Sequence, residues 1–150
     1  MVKVLLDTCV LSELRRPQAN PAVRAAVDGL DDRHIFLSVI TLGEVAKGIA
    51  LLPAGERKQQ LDSWLAGIEQ RYADQILPVD SEIAHIWGDI MARAQGIGIQ
   101  VPATDGLIAA TAMRHGLEVM TRNTRHFVAT GALIIDPWAN TPRSPDDNPF

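Results

Sequence analysis

The stretch Val2-Lys3-Val4-Leu5-Leu6-Asp7-Thr8 decides the fold class. Val4, Leu5 and Leu6 form an unbroken apolar run that stops abruptly at an acid and a hydroxyl, the pattern of a parallel strand buried on both faces. Shorter runs at residues 34–38, 76–79, 118–121 and 133–135 read as further strands, and helical segments fall between most of them. The alternation predicts an α/β domain with three layers, α/β/α, around a mainly parallel sheet of four to five strands.

Working outward, a short helix is expected from Thr8 to about Arg15. Asn20-Pro21 then sets a capping side chain and a first-turn proline before a helix to about Leu30. Thr41-Leu42-Gly43-Glu44 has capping-box form and is expected to open a helix to about Leu52. Residues 55–72 carry Leu61, Trp64, Leu65 and Ile68 on one side of a long amphipathic helix. Asp80 is placed to cap residues 81–95, where Ile83, Ile86, Trp87 and Ile90 share a face. After a loop over residues 96–102, Thr104-Asp105 opens an apolar helix to about His115, and Gly116 stands where a left-handed residue ends it. The Trp64 and Trp87 faces read as core, with a dimer interface as the other reading.

The 150 residues suffice for one domain with a substantial core. A domain over residues 1–138 and a flexible, Pro-rich tail over 139–150 are expected, and no internal repeat is found. Cys9 is the only cysteine, so an intramolecular disulfide is excluded and a Cys-based zinc site would lack ligands. A small buried residue is the better reading of Cys9 than a nucleophile, because no histidine partner is evident. No secretory signal is recognised, and Glu44 and Lys47 interrupt the longest apolar stretch, so a soluble protein of the reducing cytoplasm, away from the membrane, is expected. The net charge of −4 argues against a general nucleic-acid binder, although a local field beside a metal can still engage RNA.

Asp7, Glu44 and Asp105 each lie near a point where a strand or loop gives way to a helix. In an open parallel sheet the carboxyl ends of the strands form the binding crevice, so the three can meet there. Each also has a local role open to it: Asp7 as a helix cap, Glu44 as the partner in a capping box, Asp105 as a first-turn acid favoured by the helix dipole. Three carboxylates drawn together repel by roughly 3 kcal/mol per pair at about 5 Å and an effective dielectric of about 20. A hard divalent cation such as Mg²⁺ or Mn²⁺ is the natural compensation. It can polarise a phosphodiester oxygen and activate water.

Four segments together resemble the PIN-domain nucleases, specifically the VapC or FitB type of bacterial toxin. They are the 1–14 segment around Leu6-Asp7-Thr8, the 38–45 block around Gly43-Glu44-Val45, the 102–112 block opening with Pro102-Ala103-Thr104-Asp105, and Thr121-Arg122-Asn123-Thr124-Arg125-His126-Phe127. The resemblance spans residues 1–138. It implies Asp7, Glu44 and Asp105 as the family's acidic catalytic positions, with Asp7 and Asp105 as direct Mg²⁺ ligands and Glu44 acting directly or through water. Thr8 and Thr121 match small hydroxyl positions that orient these carboxylates. Asn123 stands where some members carry a fourth acid, adding a hydrogen-bonding group without charge and leaving a second metal in doubt. The resemblance further implies a homodimer, a small cognate antitoxin, and an RNA substrate hydrolysed to a 5′-phosphate and a 3′-hydroxyl.

Arg122, Arg125 and Lys47 are the candidate RNA contacts, each with a solvated surface side chain as the alternative, and His126-Phe127 reads as structural. A phosphate-accepting receiver domain would need a lysine after its last strand, but Lys3, Lys47 and Lys58 all lie elsewhere. A nucleotide-binding domain would need a glycine-rich loop where Asp7-Thr8-Cys9-Val10 stands. The remaining rival is a noncatalytic PIN-like interaction module whose acidic pocket binds a basic partner segment.

Overall fold

In the computed structural model, which describes residues 2–139, the central strand is the one the opening stretch predicts. Strands β1 (Val4–Leu6), β2 (Ile35–Ser38), β3 (Ile76–Leu77), β4 (Glu118–Met120) and β5 (Ile134–Ile135) form one sheet ordered β3-β2-β1-β4-β5. Every neighbouring pair is parallel; β1 sets Val4 against both Ile35 and Glu118. The chain builds outward from β1 through β2 to β3, then crosses back to lay β4 on the other side of β1. The β1–β4 gap is therefore the point where strand order reverses, and a crevice opens there at the carboxyl ends.

Among the described residues, seven α-helices surround the sheet: α1 (Thr8–Arg15), α2 (Pro21–Asp28), α3 (Val39–Ala50), α4 (Glu56–Arg71), α5 (Ser81–Gly96), α6 (Ala103–His115) and α7 (Thr124–Val128). Side-chain alternation along β1 explains the three layers. Val4 and Leu6 join a core with Val10 and Leu11 of α1, Val23 and Val27 of α2, and Trp64, Leu65 and Ile68 of α4. Leu5 points the other way, into a core with Ile83 and Ile90 of α5 and Ile108, Ala109 and Ala112 of α6. All three β1 side chains are fully buried, which stabilises the fold by roughly 1.5–3 kcal/mol for each such aliphatic. No helix among the described residues is long and apolar enough to cross a membrane.

Local signals place several helix ends. The Asn20 side chain accepts the Ala22 and Val23 N–H groups, Asp80 accepts from Ile83, and Gly116 adopts φ +66° after α6. Trp64 and Trp87 are partly buried against the cores. The Trp87 indole also donates to the Ala103 carbonyl at 3.2 Å, tying α5 to the first turn of α6.

Two expectations are corrected. The helix expected to open at Thr41 begins at Val39, capped by the Ser38 hydroxyl accepting from Ile40 N–H. Pairing of Ser38 with Leu77 holds the end of β2 at Ser38, so the helix starts one residue later and Thr41 is buried inside it. Glu44 is thus an interior residue of α3 and not part of a capping box. Helix α7, absent from the sequence reading, occupies the segment after β4. The expected tail falls, beyond Ala139, outside the described residues.

Candidate active site

Asp7 ends β1 and caps α1. Its Oδ1 accepts the Thr8 N–H at 2.8 Å, and its Oδ2 accepts the Thr121 hydroxyl, also at 2.8 Å. Thr121 follows β4 directly, so this bond spans the β1–β4 gap. The same hydroxyl oxygen accepts the Asn123 N–H at 2.9 Å. Glu44, in the second turn of α3, accepts the Thr8 hydroxyl on Oε1 at 2.8 Å. Asp105, in the first turn of α6, has its Oδ2 2.8 Å from His126 Nδ1.

The three acids come together electrostatically. Burial pushes the Asp7 carboxyl up to about 6; bonds from Thr121 and Thr8 oppose the rise, while the charges of Asp105 and Glu44 add to it. Burial also raises Asp105, His126 draws it back, and Glu44 pushes it up again. Each pair of the triplet is therefore coupled, although 37 and 61 residues separate them in sequence. Cys9 lies beside them, its Sγ 3.6 Å from Asp7 Oδ2 and accepting the Arg122 N–H at 3.4 Å. Burial and the neighbouring Asp7 push its thiol up to about 12, so it stays protonated and is no nucleophile.

The ionisable oxygens of the site are carboxylates, with Cys9 protonated and His126 engaged by Asp105, and carboxylate oxygens suit a hard divalent cation. Burial is the main cause of the raised proton affinity at Asp7 and Asp105, with repulsion from the neighbouring acids added to it, and a bound cation would stabilise the ionised form against both. Among the described residues, no three His, Cys, Asp or Glu side chains form a ready-made ligating group. The carboxylates stand within electrostatic reach of one another without closing around a single point.

The other candidates divide. Asn123 is held at the site by its backbone and makes no side-chain bond capping α7. The Arg122 guanidinium lies 5.3 Å from the Trp138 ring centroid, a cation–π contact that packs it on the protein's own surface. Arg125 and Lys47 are exposed. Phe127 is fully buried, whereas its neighbour His126 reaches Asp105. The sequence reading weighs His126 as a phosphate contact and prefers a structural role; its contact with Asp105 is not foreseen, because α7 is not recognised. One turn of helix starting at Thr124 would have signalled that His126 faces back toward the loop crevice.

The PIN-domain family profile matches residues 4–133, a span that holds all three acids and the Thr121–His126 region. The chain belongs to the PIN-domain family. It is similar to Toxin FitB of Neisseria gonorrhoeae, at 42% identity over 90% of this chain and 98% of FitB. Similarity to VapC ribonuclease Y4jK of Sinorhizobium fredii is 39% over 90% of this chain and 97% of that protein. The crystal structure of FitAcB from Neisseria gonorrhoeae superposes with a TM-score of 0.85, covering 90% of this chain and 98% of the other, at 42% identity. Solved VapBC-type toxin–antitoxin complexes share the architecture. This PIN domain is of the VapC and FitB type, and its five-stranded parallel sheet between helices is that fold.

Proposed function

We propose that this PIN-domain protein is a metal-dependent endoribonuclease and the toxin of a type II toxin–antitoxin pair. The observation that carries the proposal is the pairwise coupling of Asp7, Glu44 and Asp105 at the strand-order reversal, with two of them fixed by threonine hydroxyls. The naming of relatives as toxin and ribonuclease supports it.

Asp7 and Asp105 would hold Mg²⁺, or Mn²⁺ in its place, and Glu44 would hold it directly or through water. The ion supplies Lewis-acid polarisation of a phosphodiester oxygen and a lowered pKa for water. The chain's own part is to position and to move protons. Thr8 occupies one oxygen of Glu44, leaving the other to accept the proton of an attacking water. Water adds to phosphorus as its proton passes to Glu44, the P–O3′ bond breaks, and the departing O3′ takes a proton from solvent water, giving a 5′-phosphate and a 3′-hydroxyl. Thr121 and Thr8 hold Asp7 in one orientation throughout, which keeps the acids pre-positioned. A homodimer, a cognate antitoxin and action in the cytoplasm complete the proposal.

The noncatalytic reading draws on the absence of a ready-made ligating group among the described residues. Purified protein freed of any inhibitor, incubated with mixed cellular RNA and with matched DNA, separates the two. Cleavage of RNA that needs Mg²⁺ or Mn²⁺, stops with EDTA and is lost in Asp105→Asn is the expected result. Intact RNA with folded, metal-loaded wild type would favour the interaction module.

A further inference from the structure

A cavity of about 1010 Å³ lies beside the acidic cluster, bounded by the end of α5, the loop over residues 97–102, and α7. We propose that it is a nucleobase subsite, which takes a base of single-stranded RNA next to the scissile phosphate and sets the sequence preference of cleavage. The inference rests on the nuclease reading of the acidic site.

Position is the first argument. His126 lines the cavity and its Nδ1 lies 2.8 Å from Asp105 Oδ2, so the cavity and the acidic cluster share a wall. A strand whose phosphate reaches Asp105 has a neighbouring base within reach of the cavity. Its volume is at the upper end of the range for small-molecule sites, enough for a nucleotide.

Lining chemistry is the second. Met91 and Ile99 offer apolar faces to a base, Gln95 and Gln100 offer amides that can both donate and accept along its edge, and Arg125 offers charge to the phosphate. Ile99 keeps 43% of its surface exposed, a large aliphatic left open on the wall. Among the described residues, no Asp or Glu lines the cavity. A basic protein segment would find its countercharge only beyond the His126 wall, at Asp105, whereas an anionic RNA strand meets Arg125 on the lining itself.

Rigidity is the third. Ile99 N–H donates to Ala94 O at 2.9 Å, Gly98 N–H donates to Gln95 O at 3.1 Å, and Gly98 adopts φ +72°. That is a Schellman termination of α5, which holds Ile99 and Gln100 against the helix end. The wall is built before any ligand arrives.

The test has two arms. In the first, isotope-labelled full-length protein in EDTA is titrated with the four nucleoside 5′-monophosphates, and backbone amide shifts are followed. Shifts at residues 95–101 and 124–127, stronger for one base and lost in Gln95→Ala/Gln100→Ala, are expected. In the second, wild type and that double variant cut a randomised RNA pool with Mg²⁺, and the bases flanking the cuts are counted. The variant should flatten one position's preference by about two- to tenfold, the range that one hydrogen bond supplies. This ratio is independent of the overall rate, and thermal melting verifies the fold. Cleavage with an unchanged preference and no amide shifts at the cavity overturns the subsite while leaving the nuclease reading intact. Shifts without any cleavage by metal-loaded wild type leave a base-binding cavity but overturn its part in setting cleavage preference, together with the nuclease reading. Shifts there with an arginine-rich peptide and none with nucleotides overturn the inference in favour of a protein partner.

Discussion

The Thr121 hydroxyl donates to Asp7 Oδ2 at 2.8 Å across the gap between β1 and β4, while the same oxygen receives the Asn123 N–H at 2.9 Å. One side chain from the end of β4 thus orients the acid at the end of β1 and anchors the turn leading into α7.

Thr121→Val keeps the shape of this side chain and removes both bonds, along with the 3.5 Å contact between its hydroxyl and Cys9 Sγ. Thr121 and Asp7 are buried, so the stranded partners should cost about 1–3 kcal/mol, read from chemical denaturation. RNA cleavage should fall in the same variant, and Thr121→Ser should restore both quantities. Full stability in the valine variant would show that the hydroxyl does not hold the site.

Asp7 links stability to pH in the metal-free protein. Its folded pKa of about 6 exceeds the ordinary 3.8, so the folded state binds the proton more tightly than the unfolded chain. The resulting stabilisation is complete below about 3.8 and is lost as pH rises through 6, an effect of roughly 3 kcal/mol. Wild type in EDTA should therefore lose stability relative to Asp7→Asn between pH 4.5 and pH 7.5. Raised Asp105 contributes with the same sign to both proteins, so the difference between them isolates Asp7. Denaturant midpoints of the two proteins at those two pH values measure the difference, and parallel pH profiles would contradict the assignment.

At Gly106, next to the site, α6 packs against Met91 and Trp87 of α5 with no room for a side chain. A Cβ there would lie 2.9 Å from Met91 Sδ, 3.0 Å from Trp87 Nε1 and 3.1 Å from Trp87 Cδ1. Met91 can swing away, but the Trp87 ring is held by its bond to Ala103 O. Gly106→Ala should destabilise by about 1–3 kcal/mol through overpacking, visible as a lower melting temperature. Because Asp105 precedes Gly106 directly, cleavage should fall as well.

Thr8→Val should separate activity from stability. Glu44 is only half-buried, so losing its bond from Thr8 leaves a carboxylate that water can solvate, at a cost of about 1 kcal/mol or less. Cleavage should nevertheless drop, and the Mg²⁺ concentration giving half-maximal activity should rise, because Glu44 is no longer held. Thr8→Ser should behave as wild type in a metal titration.

By itself the sequence determined the fold class, the five strands and every α-helix except α7. Apolar runs such as Val4-Leu5-Leu6 and the caps Asn20, Asp80 and Gly116 act over a few residues, so their consequences can be read locally. The family resemblance carried the three acids, and the strand-to-helix junction at Asp7 showed where one of them would stand. Only the tertiary structure decided the rest. Helix α3 starts at Val39 because Ser38 pairs with Leu77 on another strand, a constraint that outweighs the local capping pattern at Thr41. The Thr121–Asp7 bond joins residues 114 apart, and Asp105 meets His126 only because α6 and α7 pack at the same end of the sheet. The cavity beside them belongs to no single segment. Hydrogen bonds and apolar contacts act only over a few ångströms, so which distant residues meet depends on the crossover that places β4 beside β1, a property of the whole chain's packing.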